Sequence, residues 1–158
     1  MIGRLEREKH EGFMREALKE AEKALALGEI PVGAVVVING QVVARGYNLR
    51  EVLDDVTAHA EIVALREASR KLGDWRLSEA TLYSTVEPCP MCAGAIVQAR
   101  VGKVVFGADD PKAGAAGSVL DLLREPRFNH QVEVIPGILA EECRSIMQQF
   151  FRRLREEQ

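Results

Sequence analysis

Between Leu5 and Leu27 the apolar residues Phe13, Met14, Ala17, Leu18, Ala21 and Leu25 recur at steps of three and four, which predicts one face of a helix. Gly28 is placed to end it. Two β-rich runs follow, Val32 to Ile38 and Gln41 to Tyr47, around Asn39-Gly40, the dipeptide best suited to a type I′ hairpin turn. Asn48 to Val56 is polar and reads as a loop, after which Thr57 can cap a helix from Ala58 to about Leu72. Ala80 to Val86 has strand character and Pro88 breaks it; Pro90 suits the first turn of a small-residue helix reaching Arg100. Lys103 to Gly107 reads as a strand, and Ala108 to Gly117 as a loop leading to a short helix capped by Ser118. Gln131 to Ile135 is a weak last strand and Leu139 to about Arg155 a closing amphipathic helix. The order α-β-β-α-β-α-β-α-β-α predicts an α/β fold, a mixed sheet of five strands with helices on both faces and ligands at the strand ends.

A length of 158 residues suits one domain, expected over 1–158, and the 47% hydrophobic and 28% charged composition is that of a globular chain. The opening MIGRLEREKHEG is charged and lacks a signal-like apolar run, and no run of about 18 apolar residues occurs, so a cytoplasmic protein without a membrane span is expected. Three cysteines make no disulfide framework, which turns attention to Cys89 and Cys92 as a metal or redox pair. A net charge of −3 means that any nucleic-acid contact has to come from a local patch.

Catalytic zinc takes three protein ligands and leaves a fourth position for water. His59, Cys89 and Cys92 supply three donors, each at a predicted helix start, where exposed N–H groups favour thiolate over thiol. Two thiolates and an imidazole balance the charge of the ion, so the water wants a base, and Glu61 is the one at hand. Glu61 would take a proton from water and return it to a ring nitrogen and the departing amine, the work of a nucleobase deaminase. Residues two apart in a helix interior point nearly opposite ways, so His59 and Glu61 serve one site only on an irregular first turn. Taken singly, His59 reads as a cap and the Cys pair as a thiol-redox motif; the full spacing H-x-E to P-C-x-x-C matches the zinc-deaminase signature. Cys143, among Leu139, Ile146 and Met147, reads as core rather than as a fourth ligand.

At these residues the chain closely resembles the bacterial tRNA-specific adenosine deaminases, the TadA family. The likeness runs almost end to end through Glu29 to Ala34, Thr57 to Glu61, Glu87 to Gly94, Val105 to Ala108, Gly114 to Ser118, Asn129-His130 and Phe150 to Arg152. The first and third stretches are shared with guanine and cytosine deaminases. The resemblance implies a three-layer α/β/α cytidine-deaminase-like fold, a homodimer, one zinc ion per subunit, and conversion of adenosine to inosine at the wobble position of a tRNA anticodon. It also implies substrate contacts from Asn48, Ala58, Ala60, Pro88, Asp110, Lys112, Phe151 and Arg152. The chain departs at Val56, where the family usually has Pro, and at Ala113, where Thr is common.

Without that likeness the rim is less telling. Lys112, Arg127, His130, Arg152, Arg153 and Arg155 are candidate backbone contacts for an RNA stem-loop, but Glu141, Glu142, Glu156 and Glu157 share the last helix, which reads equally as a solvated face. Phe150-Phe151 reads first as core, and Asn48 and Asp110 as turn residues. A guanine- or cytosine-type deaminase of a free base or nucleoside would share the metal site and need no basic rim. A thiol-redox or metal-storage protein would need no Glu61.

Overall fold

Asn39 (φ 51°) and Gly40 (φ 73°) both take the left-handed conformation, as a type I′ turn demands, and they join β1 (Gly33–Ile38) to β2 (Gln41–Tyr47). This hairpin is one end of the sheet in the computed structural model, which describes residues 2–157. Along the chain come α1 (Arg4–Ala26), β1, β2, α2 (Ala60–Leu72), β3 (Thr81–Val86), α3 (Pro90–Gln98), β4 (Lys103–Ala108), β5 (Glu133–Ile135) and α4 (Ala140–Glu156). The strand order is β2-β1-β3-β4-β5, with β1 antiparallel to β2 and β3, and β3, β4 and β5 parallel. The expected mixed sheet of five strands is therefore present.

Period-two alternation decides which side chain enters which layer. Ala34, Val36, Leu82, Val104 and Phe106 face Ala60, Ala64, Leu65, Ala93 and Ile96 of α2 and α3, while Val35, Val37, Tyr83 and Val105 face Met14, Ala17 and Cys143 of α1 and α4. Helices thus cover both faces, the three-layer α/β/α arrangement that the resemblance implies. Cys143 is wholly buried in the second layer, as its apolar neighbours predict.

Two expectations are corrected. Thr57 does not cap α2: its backbone N–H and its hydroxyl are both bound to Asp55 Oδ1, and the helix begins at Ala60 with His59 in the N-cap position. The short helix after Ser118 does not form. Gly117 N–H donates to Leu120 O, Leu122 N–H to Ala115 O, and Ser118 gives its N–H and hydroxyl to Glu87, so the segment is a turn with an isolated bridge from Ala116 to Asp121. Here bonds within the turn and to the distant Glu87 carboxylate win over helix capping.

α2 packs on β1 and β2 with its start near the strand ends because position 46 has no side chain. A Cβ on Gly46 would lie 2.5 Å from Ala60 O and 2.6 Å from Ala64 N, so the helix backbone rests directly on the strand.

Candidate active site

Two helix starts meet at one point. His59 is the N-cap of α2 and Cys89 the N-cap of α3, with Pro90 in the first turn of α3 and Cys92 two residues beyond it. Neither N-cap side chain makes a capping hydrogen bond. Instead His59 Nδ1 lies 3.6 Å from Cys89 Sγ and 3.5 Å from Cys92 Sγ, and the three donor atoms are within 4.8 Å of one another.

These distances fit zinc. Bond lengths of about 2.3 Å to sulfur and about 2.05 Å to nitrogen at tetrahedral angles place N and S about 3.5 Å apart. Cys143, the remaining cysteine, lies in the other layer and leaves the set at three protein donors. Three donors keep a coordination position free for a reactant.

The electrostatics follow from burial and from these contacts. Cys89 is drawn down to about 4, first by the hydrogen bond from Cys92 and then by the one from His59, against the opposing effect of burial. Cys92 is pushed up by that same bond and by its burial. His59 is raised by its bond to Cys89, with burial opposing. Glu61 is 4% exposed and is pushed up to about 7, chiefly by burial and next against its own backbone N–H by the nearby Cys89 charge.

The donors open into a cavity of about 490 Å³. Its wall includes Asn48, His59, Ala60, Glu61, Cys89, Asp110, Lys112 and Phe151, so the structure brings most of the sequence-selected residues together. Cys92, Ala58, Pro88 and Arg152 are not in that wall: Cys92 is wholly buried against His59, Ala58 and Pro88 are buried and give their carbonyls to Leu49 N–H and Ala115 N–H, and Arg152 is exposed. Asn48 is held by two bonds, its amide donating to Ile30 O and its Oδ1 accepting from Arg50 N–H. Asp110 Oδ1 accepts from Lys112 and Ala113 N–H, the turn chemistry of an Asp, at the cavity rim.

Sequence reasoning did not select Arg50, Arg144, Met147 or Gln148, which also line the cavity. Residues 144, 148 and 151 repeat at helical spacing on α4, a stripe visible in the sequence, but its docking against the metal donors is a tertiary fact. Of the basic candidates away from the wall, His130 Nε2 is bound to Val101 O at 2.8 Å and Arg127 is paired with Glu125.

A three-donor metal set with a buried carboxylate beside it is the equipment of enzymes that replace a ring amine by oxygen, the hydrolytic deaminases. The chain belongs to the MafB19-like deaminase family, whose model matches residues 8–155. It is 58% identical over 143 residues to the tRNA-specific adenosine deaminase of Bacillus subtilis, covering 90% of this chain and 89% of that one. A solved tRNA:A34 deaminase, studied for A-to-I editing at the wobble position of transfer RNA, is 45% identical with a TM-score of 0.83 over 85% of this chain and 98% of its own. The guanine deaminase of Nitrosomonas europaea is more distant, at 25% identity and a TM-score of 0.74 over 89% and 83% of the two chains. Among the described residues no helix is long and apolar enough to cross a membrane.

Proposed function

We infer that this chain hydrolyses adenosine to inosine at the first anticodon position of a tRNA, releasing ammonia. The observation that carries the chemistry is Glu61, buried at the same cavity as His59 and Cys89, with Cys92 held just beneath them by its approach to His59. Bound by those three donors, zinc supplies a Lewis acid that makes water a nucleophile near neutral pH. Glu61 accepts the proton that the attacking water gives up and delivers it to the ring nitrogen. It then carries the proton of the hydroxyl added to the ring carbon to the amine, which leaves as ammonia as that carbon becomes a carbonyl. Burial raises the Glu61 carboxyl above the usual carboxylate range, toward the neutral pH at which it has to take and give a proton.

Asn48, Ala60, Asp110, Lys112 and Phe151 line the space where the base enters, and we assign them to substrate contact. Ala58 and Pro88 support that wall from behind, and Arg152 extends it along α4 as an RNA-backbone contact. The identity to tRNA-specific adenosine deaminases over most of both chains favours a tRNA stem-loop over a free base. The same likeness leads us to propose a homodimer acting in the cytoplasm, with the exposed apolar side chains Val52, Leu53 and Val56 assigned to its contact.

The test is to incubate zinc-loaded protein with a panel of transcribed tRNAs and with free guanine. Inosine at the first anticodon position of one or a few tRNAs is expected. Unmodified tRNAs together with consumption of guanine would overturn the substrate assignment.

A further inference from the structure

Of the three buried carboxylates with no part in the chemistry above, Glu20 is ion-paired with Lys23 and Arg45; the other two are Glu29, at 1% exposure, and Glu87, at 2%. A carboxylate is buried at a cost unless hydrogen bonds satisfy it. Both are satisfied largely by main-chain N–H groups of loops. Glu87 accepts from Asp110 N–H at 3.0 Å, Ala116 N–H at 2.9 Å and Ser118 N–H at 3.1 Å, and from the Ser118 hydroxyl. Glu29 accepts from Glu51 N–H at 3.1 Å and Val52 N–H at 2.7 Å.

The two loops so held carry cavity-wall residues, Asn48 and Arg50 on one, Asp110 and Lys112 on the other. Neither loop has a strand or helix to fix it. Gly114 shows how closely the second is drawn in: a Cβ there would lie 2.3 Å from the Glu87 carboxyl carbon. Glu87 also stands two residues before Cys89, so the loop is tied to the segment that carries the metal donors.

We propose that Glu87 and Glu29 are positioning residues that hold the two substrate-contacting loops of the cavity in register with the metal donors. The carboxylate is required as such at Glu87. Its two oxygens accept four donated hydrogens, whereas a glutamine would turn an NH2 group toward N–H groups and lose half of them. The kinetic arm of the test rests on the deaminase reading; the exchange arm does not.

The experiment compares zinc-loaded wild type with Glu87→Gln, Glu29→Gln and Ser118→Ala. The last removes a single donor from an exposed residue and keeps the test open should a buried substitution fail to fold. Amide hydrogen exchange of Asp110, Ala116 and Ser118 is expected to quicken about tenfold or more in Glu87→Gln, and that of Glu51 and Val52 in Glu29→Gln, with zinc content unchanged. With a tRNA stem-loop, KM should rise roughly tenfold in both Gln variants and about threefold in Ser118→Ala, while kcat stays within about threefold. Unchanged exchange in folded variants overturns the proposal, as does a fall in kcat at constant KM. If wild-type protein makes no inosine, the substrate reading fails and the exchange arm still decides the clamp.

Discussion

His59 and Glu61 reach one cavity from positions two apart because His59 is not helical: its extended backbone (φ −75°, ψ 153°) precedes the first turn on which Glu61 lies. An imidazole at an N-cap is free of the helix surface and can turn to Cys89 and Cys92. The Glu61 carboxylate, on that first turn, remains buried at the same opening.

Replacing Glu61 by Gln keeps the size and burial of the side chain and removes its ability to accept a proton. Ammonia release is expected to fall by roughly 10²–10⁴-fold, the worth of a positioned acid–base group. Zinc content, measured by metal analysis, should stay at that of wild type, because Glu61 is not one of the three donors. Activity within a factor of a few of wild type would remove Glu61 from the mechanism.

Much of this site was legible because its chemistry is local. Cys89 and Cys92 sit on one helix start by spacing alone, and Asn39-Gly40 marked its turn because both residues tolerate positive φ. Ser118 misled for the opposite reason. A Ser before a run of Val, Leu and Asp has the look of a helix cap, yet its donors are consumed by Glu87, 31 residues away. Thr57 is taken by Asp55, two residues away, which moves the N-cap two residues on to His59 and the helix start to Ala60. Glu29 and Glu87 stood in recognisable motifs, but only the fold shows that their partners are loop N–H groups.

Stripping the metal should cost both activity and stability, since ligand binding to the folded state adds to its free energy. Treatment with a strong chelator is expected to abolish deamination and lower Tm, and zinc should restore both. Cys89→Ser should show the same deficits without chelator, with zinc affinity reduced at least about 10-fold. A chelated protein with unaltered Tm and full activity would exclude a metal role for the three donors.

Gly46→Ala tests the placement of α2. The added methyl meets the backbone of Ala60 and Ala64, which cannot move aside as a side-chain tip would. Overpacking of this kind costs about 1–3 kcal/mol, or a Tm loss of roughly 3–10 °C for a chain of this size. Because α2 carries His59 and Glu61, kcat should fall with Tm. A variant with native Tm would show that the helix can shift freely at its start.

His10 is a source of pH dependence away from the active site. Its Nδ1 lies 2.7 Å from the Tyr83 hydroxyl beneath the sheet, and burial lowers its pKa below 6.5, although the Glu6 carboxylate 3.5 Å from Nε2 pulls the other way. A folded-state pKa below the unfolded one means that the unfolded chain binds the proton more readily. The stability contributed by neutral His10 is then complete above about pH 6.5 and declines as pH falls below it. Thermal unfolding followed from pH 8 to pH 5 should show a shallower decline in His10→Gln than in wild type. Identical slopes would place the titration elsewhere.

Lys112 decides between an RNA and a small metabolite as the natural substrate. It lines the cavity, its side chain is exposed, and it has no ion pair among the described residues. A cation so placed has a phosphate as its natural partner, and a phosphate contact releases a counterion on binding. The affinity for a tRNA stem-loop should therefore fall steeply with salt, and Lys112→Ala should reduce the slope of log K against log salt by about 0.7 for a single-stranded loop. Arg152→Ala should give a further reduction of similar size if it too meets the backbone. A free base has no phosphate, so its turnover would show neither the steep slope nor the change on substitution. Measured side by side, the two slopes separate an enzyme that reads a nucleotide within an RNA backbone from one that takes the base alone.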